Sequence, residues 1–121
     1  MEVILDSNFI ISCIKRKIDF FEELEKLGFK ILLPKEVFQE LKDLKFKVAH
    51  DKRTAIDLAF NIFRNKKIKK VRLGNKNVDE GLIEKGKQGC YIATLDSSIK
   101  RAIPNKIIIS DAKNSLIVER G

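Results

Sequence analysis

Two apolar runs that each stop on an aspartate constrain this chain most: Val3-Ile4-Leu5 ends in Asp6, and Cys90-Tyr91-Ile92-Ala93-Thr94-Leu95 ends in Asp96. Such a nearly continuous apolar run reads as a strand buried on both faces. Each run leads into a helical pattern, so both carboxylates fall at the carboxyl ends of strands, where open α/β sheets present ligand-binding groups. Two such ends in one small domain suggest a metal site.

Between the two runs, strand and helix signals alternate. A short helix is expected from Asn8, and a second over residues 19–27, where Phe20, Phe21, Leu24 and Leu27 recur at helical spacing before Gly28. Phe29 to Leu33 reads as strand two, and Pro34 opens a helix carrying Val37, Phe38, Leu41 and Leu44. A longer helix is expected over residues 48–63 and a short strand over 70–73. Gly74-Asn75-Lys76-Asn77 reads as a turn, and Asn77 with Glu80 has the spacing of a capping box. After Asp96 come a helix over 97–102 and a strand over 107–109. Leu116-Ile117-Val118 is either an edge strand or a packed tail. Repeated strand-then-helix order predicts one α/β domain over residues 1–121, with a central, mostly parallel sheet of four to five strands and helices on both faces.

At 121 residues the chain can bury roughly two-thirds of the surface that its unfolded form exposes, so it needs no covalent staple. Cys13 and Cys90 lie far apart within apolar stretches and suit reduced, buried thiols. An acidic residue at position 2 and the absence of a run of about 18 apolar residues argue against secretion and membrane insertion, so a cytoplasmic protein is expected. The net charge of +8 is uneven: Arg64, Lys66, Lys67, Lys69, Lys70 and Arg72 follow one another with no acid among them. Such a run can meet a phosphate backbone or can simply form a solvated surface, and the carboxylates tip the balance toward nucleic acid.

The acids differ in what their positions allow. Asp6 and Asp96 each suit an ordinary helix N-cap as well as a metal ligand, and one side chain can stand near both jobs. In the helix after Pro34, at about 100 degrees per residue, Glu40 lies about 40 degrees from the border of the apolar face, closer than Glu36 or Asp43. It is the acid of that helix best placed to lean over the core edge toward Asp6. On the next wheel Asp79 falls among Val78, Leu82 and Ile83 and is expected to point inward, with Glu80 at the edge of that face. An inward carboxylate is costly unless it is paired or bound to a cation, although acids in a first turn are also favoured by the helix dipole.

These segments carry a family resemblance. Leu5-Asp6-Ser7-Asn8-Phe9-Ile10 is similar to the opening motif of PIN-domain ribonucleases, and Val37-Phe38-Gln39-Glu40-Leu41 resembles their helical glutamate motif. Val78-Asp79-Glu80-Gly81-Leu82-Ile83 and Tyr91-Ile92-Ala93-Thr94-Leu95-Asp96 resemble the third acid and the closing Thr-x-Asp. From Asp79 to Ile109 the likeness is to small archaeal proteins related to the Fcf1-type ribosomal RNA processing nucleases. The resemblance implies a single PIN-like domain with catalytic and metal-binding acids at Asp6, Glu40 and Asp96. For the third acid the family's spacing selects Glu80 and the wheel selects Asp79, so both stand. Ser7, Asn8, Thr94 and Ser98 would be supporting polar groups, Ser98 standing where many relatives place another acid.

The implied activity is endoribonuclease hydrolysis of RNA with Mg2+ or Mn2+, hard cations that suit carboxylate oxygens and water. The setting would be ribosomal RNA processing beside a ribosome-assembly protein, or a toxin blocked by an antitoxin. A homodimer is expected from the family, and a catalytically weak RNA-binding or scaffold domain is the alternative. Other chemistries find no support in the residues. The lone His50 has no serine or cysteine partner, and Gly74, Gly81, Gly86 and Gly89 lack the spacing of a nucleotide-binding loop.

Overall fold

The computed structural model describes residues 1–74 and 77–121. In chain order it contains β1 (Glu2–Leu5), α1 (Ser7–Lys15), α2 (Phe20–Lys26), β2 (Lys30–Pro34), α3 (Lys35–Lys45) and α4 (His50–Asn65). There follow β3 (Lys69–Val71), α5 (Val78–Lys87), β4 (Tyr91–Ala93), α6 (Ser97–Ala102), β5 (Lys106–Ser110) and β6 (Ser115–Glu119). The sheet has six strands where four to five were expected, in the order β3-β2-β1-β4-β5-β6. The additional strand is the segment around Leu116 to Val118: it pairs antiparallel with β5 from Ser110↔Ser115 to Lys106↔Glu119, while every other pairing is parallel. A segment with one half-buried face can become an edge strand as readily as a tail, and pairing to β5 satisfies its backbone groups.

Side chains alternate across the strands and divide the core in two. Val3, Leu5, Ile31, Leu33, Tyr91, Ala93 and Ile107 pack with α1 to α4 on one face, whereas Ile4, Leu32 and Ile92 pack with Leu82, Ile99 and Ile103 of the α5 and α6 region on the other. This division follows from handedness. The chain runs outward from β1 through β2 to β3, then returns to β4 and proceeds outward the opposite way. Right-handed crossovers put the helices of the two directions on opposite faces. The reversal lies between β1 and β4, the switch point where doubly wound sheets open a crevice at their carboxyl edge.

Helix ends match local chemistry. Asp19 accepts from the Glu22 N–H to cap α2, and Asn77 accepts from the Glu80 N–H at 3.2 Å to cap α5. Gly28 and Gly89 follow helices α2 and α5 at positive φ of 88° and 106°. The expected turn over 74–77 lies partly outside the described residues. Both cysteines are free, Cys13 buried and Cys90 half-buried, and burial pushes the Cys13 thiol up to about 12. Among the described residues no helix is long and apolar enough to cross a membrane.

Gly86 is a close joint between α5 and Ile103 at the end of α6. A Cβ there would stand 2.4 Å from Ile103 Cγ2 and 2.9 Å from Ile103 Cβ. The helix lies so close because it has no side chain at this point. Gly86→Ala should therefore destabilise the protein by about 1–3 kcal/mol through overpacking, less the ~1 kcal/mol that alanine's helix propensity returns. Urea denaturation of Gly86→Ala, with and without Ile103→Ala, checks this: the double variant should lose less than the sum of the two singles.

Candidate active site

The carboxyl ends of β1 and β4 converge at the switch point, and Asp6 stands between them. The sheet ladder continues one residue past β1, with the Asp6 N–H donating to the Ala93 carbonyl at 3.0 Å. Asp6 is therefore held in extended backbone at φ −95° and ψ 153°, and its side chain turns over the start of α1. It is 7% exposed, and Ser7 and Thr94 beside it are 2% and 0% exposed. Its Oδ1 accepts from the Ser7 N–H at 2.8 Å, and its Oδ2 accepts from the Thr94 hydroxyl at 2.9 Å. Asp6 is both an N-cap of α1 and the most enclosed acid of the site.

Thr94 joins the second aspartate to the first. Its Oγ1 donates to Asp6 and accepts from the Asp96 N–H at 3.1 Å, so one buried hydroxyl bridges the two. Asp96 is exposed, and its Oδ1 accepts from the N–H groups of Ser98 at 2.8 Å and Ile99 at 3.2 Å, capping α6. Asp96 also lines the groove beside it. Ser98, where an acid was considered, is exposed in the first turn of α6.

Glu40 is brought in from the third helix. It is half-buried, and its Oε1 accepts a short hydrogen bond from the Ser7 hydroxyl. Ser7 thus gives its N–H to Asp6 and its O–H to Glu40, fixing two carboxylates from elements far apart in sequence. Asp79 differs from expectation: it is exposed, not buried. The buried stripe of α5 runs through Gly81, Leu82 and Gly86, and its first turn contributes no buried residue, so the inward side of the wheel does not reach the core at Asp79. Glu80 is exposed in the same turn.

The electrostatics single out the same group. Burial raises the Asp6 pKa above the ordinary aspartate range, the Thr94 and Ser7 hydrogen bonds lower it, and the charges of Glu40 and Asp79 raise it further. Glu80 exerts no comparable influence among the described interactions. Among the described residues no three His, Cys, Asp or Glu side chains form a ready-made cation site. Glu40 and Asp79 are near enough for their charges to act on Asp6, and Asp96 is joined to it through Thr94. This arrangement fits Mg2+ or Mn2+, which keep several waters and take only one or two protein carboxylates directly.

Basic residues meet the crevice where the charge run did not point. A groove of about 660 Å³ lies beside Asp96 and Asn8, lined by Ile11, Ser12, Lys15, Arg16, Lys52 and Leu95. Arg16 is also tied to Asp111 at 2.5 Å, and Asn114 donates to its carbonyl at 2.9 Å. Lys15-Arg16-Lys17 at the end of α1 was a visible signal for this rim, but only folding shows that it adjoins Asp96. The run from Arg64 to Arg72 is divided. Arg64, Lys67 and Lys70 line a cavity with Phe38 and Phe60, Lys66, Lys67 and Lys69 line a groove by Phe21 and Phe29, and Arg72 lies by Glu36. Glu36 accepts from the N–H groups of Leu73 and Gly74 at 3.1 and 3.4 Å. Burial works against its charged form, but these bonds, its own N–H and Arg72 hold the carboxyl below the usual range.

The raised pKa of Asp6 carries a sign for stability. A carboxyl whose folded value lies above its unfolded value favours folding when protonated, so stability falls as pH rises from the unfolded aspartate range through the folded Asp6 value, then levels off. In chelator, Asp6→Asn should flatten that part of the pH profile and melt no lower than the parent at pH 7, as thermal denaturation between pH 3 and 8 would read.

Thirteen solved chains match this one in structure. Among them is the structure of the PIN domain endonuclease Utp24, at 24% sequence identity and TM-score 0.75, with 99% of this chain and 92% of that chain covered. At that identity the match establishes the fold. No curated protein matches the sequence. The profile of the PIN like domain matches residues 3–110, and a match over most of the chain means that this protein belongs to the PIN-like domain family.

Proposed function

We propose that this protein is a metal-dependent endoribonuclease whose site is built on Asp6, Glu40, Asp79 and Asp96. The observation that carries the reading is the way the carboxylates are tied together: buried Asp6, at the end of β1, is linked through Ser7 to Glu40 and through Thr94 to Asp96. The nearby charges of Glu40 and Asp79 and the burial of Asp6 favour a site that takes up a cation.

Asp79 is the third acid in this reading, since its charge bears on Asp6. Asp6 and Asp79 would hold a cation, and Asp96 and Glu40 would complete its surroundings through water. The cation supplies a water of lowered pKa and charge neutralisation at the scissile phosphate. The chain's own residues do the rest. Ser7 keeps Glu40 turned toward Asp6, Thr94 sets the Asp6 carboxylate plane, and the α6 cap fixes Asp96. Lys15, Arg16 and Lys52 line the groove beside Asp96 and would position the RNA backbone.

The relationship to a PIN domain endonuclease supports cleavage within a chain. The likeness of the segment from Asp79 to Ile109 to Fcf1-type nucleases favours ribosomal RNA processing over a toxin blocked by an antitoxin. RNA, a ribosome-assembly partner, a homodimer and a cytoplasmic location belong to the same proposal.

Asp6→Asn keeps an N-cap acceptor, so it should fold yet lose cleavage of structured and single-stranded RNA in Mn2+. Parent activity should vanish in chelator. RNA binding without any Mn2+-dependent cutting by the parent would sink the enzyme reading and leave a scaffold domain. Thr94→Val should reduce cation affinity or activity about 10–100-fold, the usual cost of removing a group that orients a ligand. Mn2+ titration followed by melting temperature, alongside the cleavage rate, measures it.

A further inference from the structure

On the far side of α3 from Glu40 lies a second cavity, of about 420 Å³, lined by Phe38, Lys42, Phe60, Phe63, Arg64, Lys67 and Lys70. Three of its walls are aromatic and the other four groups are cationic. No acid lines it. The rings meet edge to face, Phe38 with Phe60 at 5.1 Å and with Phe63 at 6.3 Å between centroids. Two ammonium groups approach the same Phe38 ring, Lys70 at 3.9 Å and Lys42 at 4.8 Å. Among the described residues none of the four cations is in a salt bridge, and the two lysines turn to the ring's negative face.

Like charges gathered around an apolar pocket select a ligand that is both anionic and flat. A solvated charge run would spread its lysines into water. A core gap would carry no rim of cations. A nucleotide within a single strand has the required pair of features, a π-face for the rings and flanking phosphates for the ammonium groups, whereas a duplex hides its bases. Phe38 and Glu40 are two residues apart on α3, about 200 degrees around the helix, so the cavity and the carboxylates stand about one helix diameter of 10–12 Å apart.

We propose that this cavity binds an unpaired nucleotide of the RNA, with its base against Phe38 and Phe60 and its phosphates on Lys42, Lys70, Arg64 and Lys67. It rests on the reading of RNA as substrate and adds a second contact that selects unpaired strands. The contact is independent of the metal-binding acids.

The test is fluorescence anisotropy with a labelled unstructured 12-nucleotide RNA and a hairpin duplex, in chelator, across a salt series. The parent should prefer the unstructured strand. Lys42→Gln with Lys70→Gln should weaken binding to it about tenfold or more and flatten the log-log salt slope by about 1.4, the loss of two single-strand phosphate contacts. Phe60→Leu should weaken binding about fivefold or more with the salt slope unchanged. Lys66→Gln with Lys69→Gln removes the same charge outside the cavity and should do less. Equal losses in the two lysine pairs, or an unchanged Phe60→Leu, would overturn the cavity proposal while leaving the nuclease reading intact. No parent binding to either RNA would overturn the cavity proposal and the RNA reading together. Asp6→Asn binding RNA as the parent does, while failing to cut it, would support both.

Discussion

A buried carboxylate between two parallel strands is the constraint on which this molecule turns. Asp6 has left water at the sheet's carboxyl edge, and its charge is tolerated there because the Thr94 hydroxyl and the Ser7 N–H each satisfy one oxygen. Those two donors in turn require that β1 and β4 be neighbours and that α1 begin at Ser7. A strand exchange, a register slip or a shifted helix start would leave the carboxylate buried and bare. Site and fold are therefore one arrangement, since the hydrogen bonds that permit the charge are those that define the switch point.

Around this point the charges are sorted by the topology. Acids from β1, α3, α5 and the end of β4 collect at one sheet edge, so the crevice is negative within a chain of net charge +8. Cations occupy its flank at Lys15, Arg16 and Lys52 and the β3 side of the molecule at Lys42, Arg64, Lys67 and Lys70. A polyanion approaching such a surface is attracted over its length and repelled only where the acids stand, the distribution a cation-assisted site needs. The lysines of β3 serve the fold as well: they sit on an edge strand, where charge discourages pairing with another chain.

Much of this was legible in the residues. The end of β1 at Asp6 followed from buried-strand patterning, and Glu40 from its place beside the apolar stripe of α3, because periodicity reports which side of an element faces the core. The second apolar run is longer than its strand: β4 stops at Ala93 and Leu95 is exposed, so Asp96 stands three residues past its strand as the N-cap of α6. Direction is not depth, however. Asp79 lay on the apolar side of its wheel yet is exposed, since the buried stripe of α5 begins only at Gly81. Leu116 to Val118 became β6 because an unpaired edge of β5 was available, a condition set by Ile107 to Ile109. The basic run was a single feature in sequence but reverses direction between α4 and β3, with Lys67 at a positive φ of 50°, and its members face different grooves.

The amino-acid order by itself determined the alternation of strand and helix, the acid that closes β1 and the one that follows β4, and the excess of positive charge, since all three depend only on local pattern and composition. Tertiary structure alone decided that Ser7 joins Asp6 to Glu40, that Thr94 joins Asp6 to Asp96, and that the charge of Asp79 bears on Asp6. The hydrogen bonds from Ser7 to Glu40 and from Thr94 to Asp6 span 33 and 88 positions of chain. No local rule reaches that far, because such a pairing exists only after the winding reversal has set β4 against β1 and the helices of each direction on their own face.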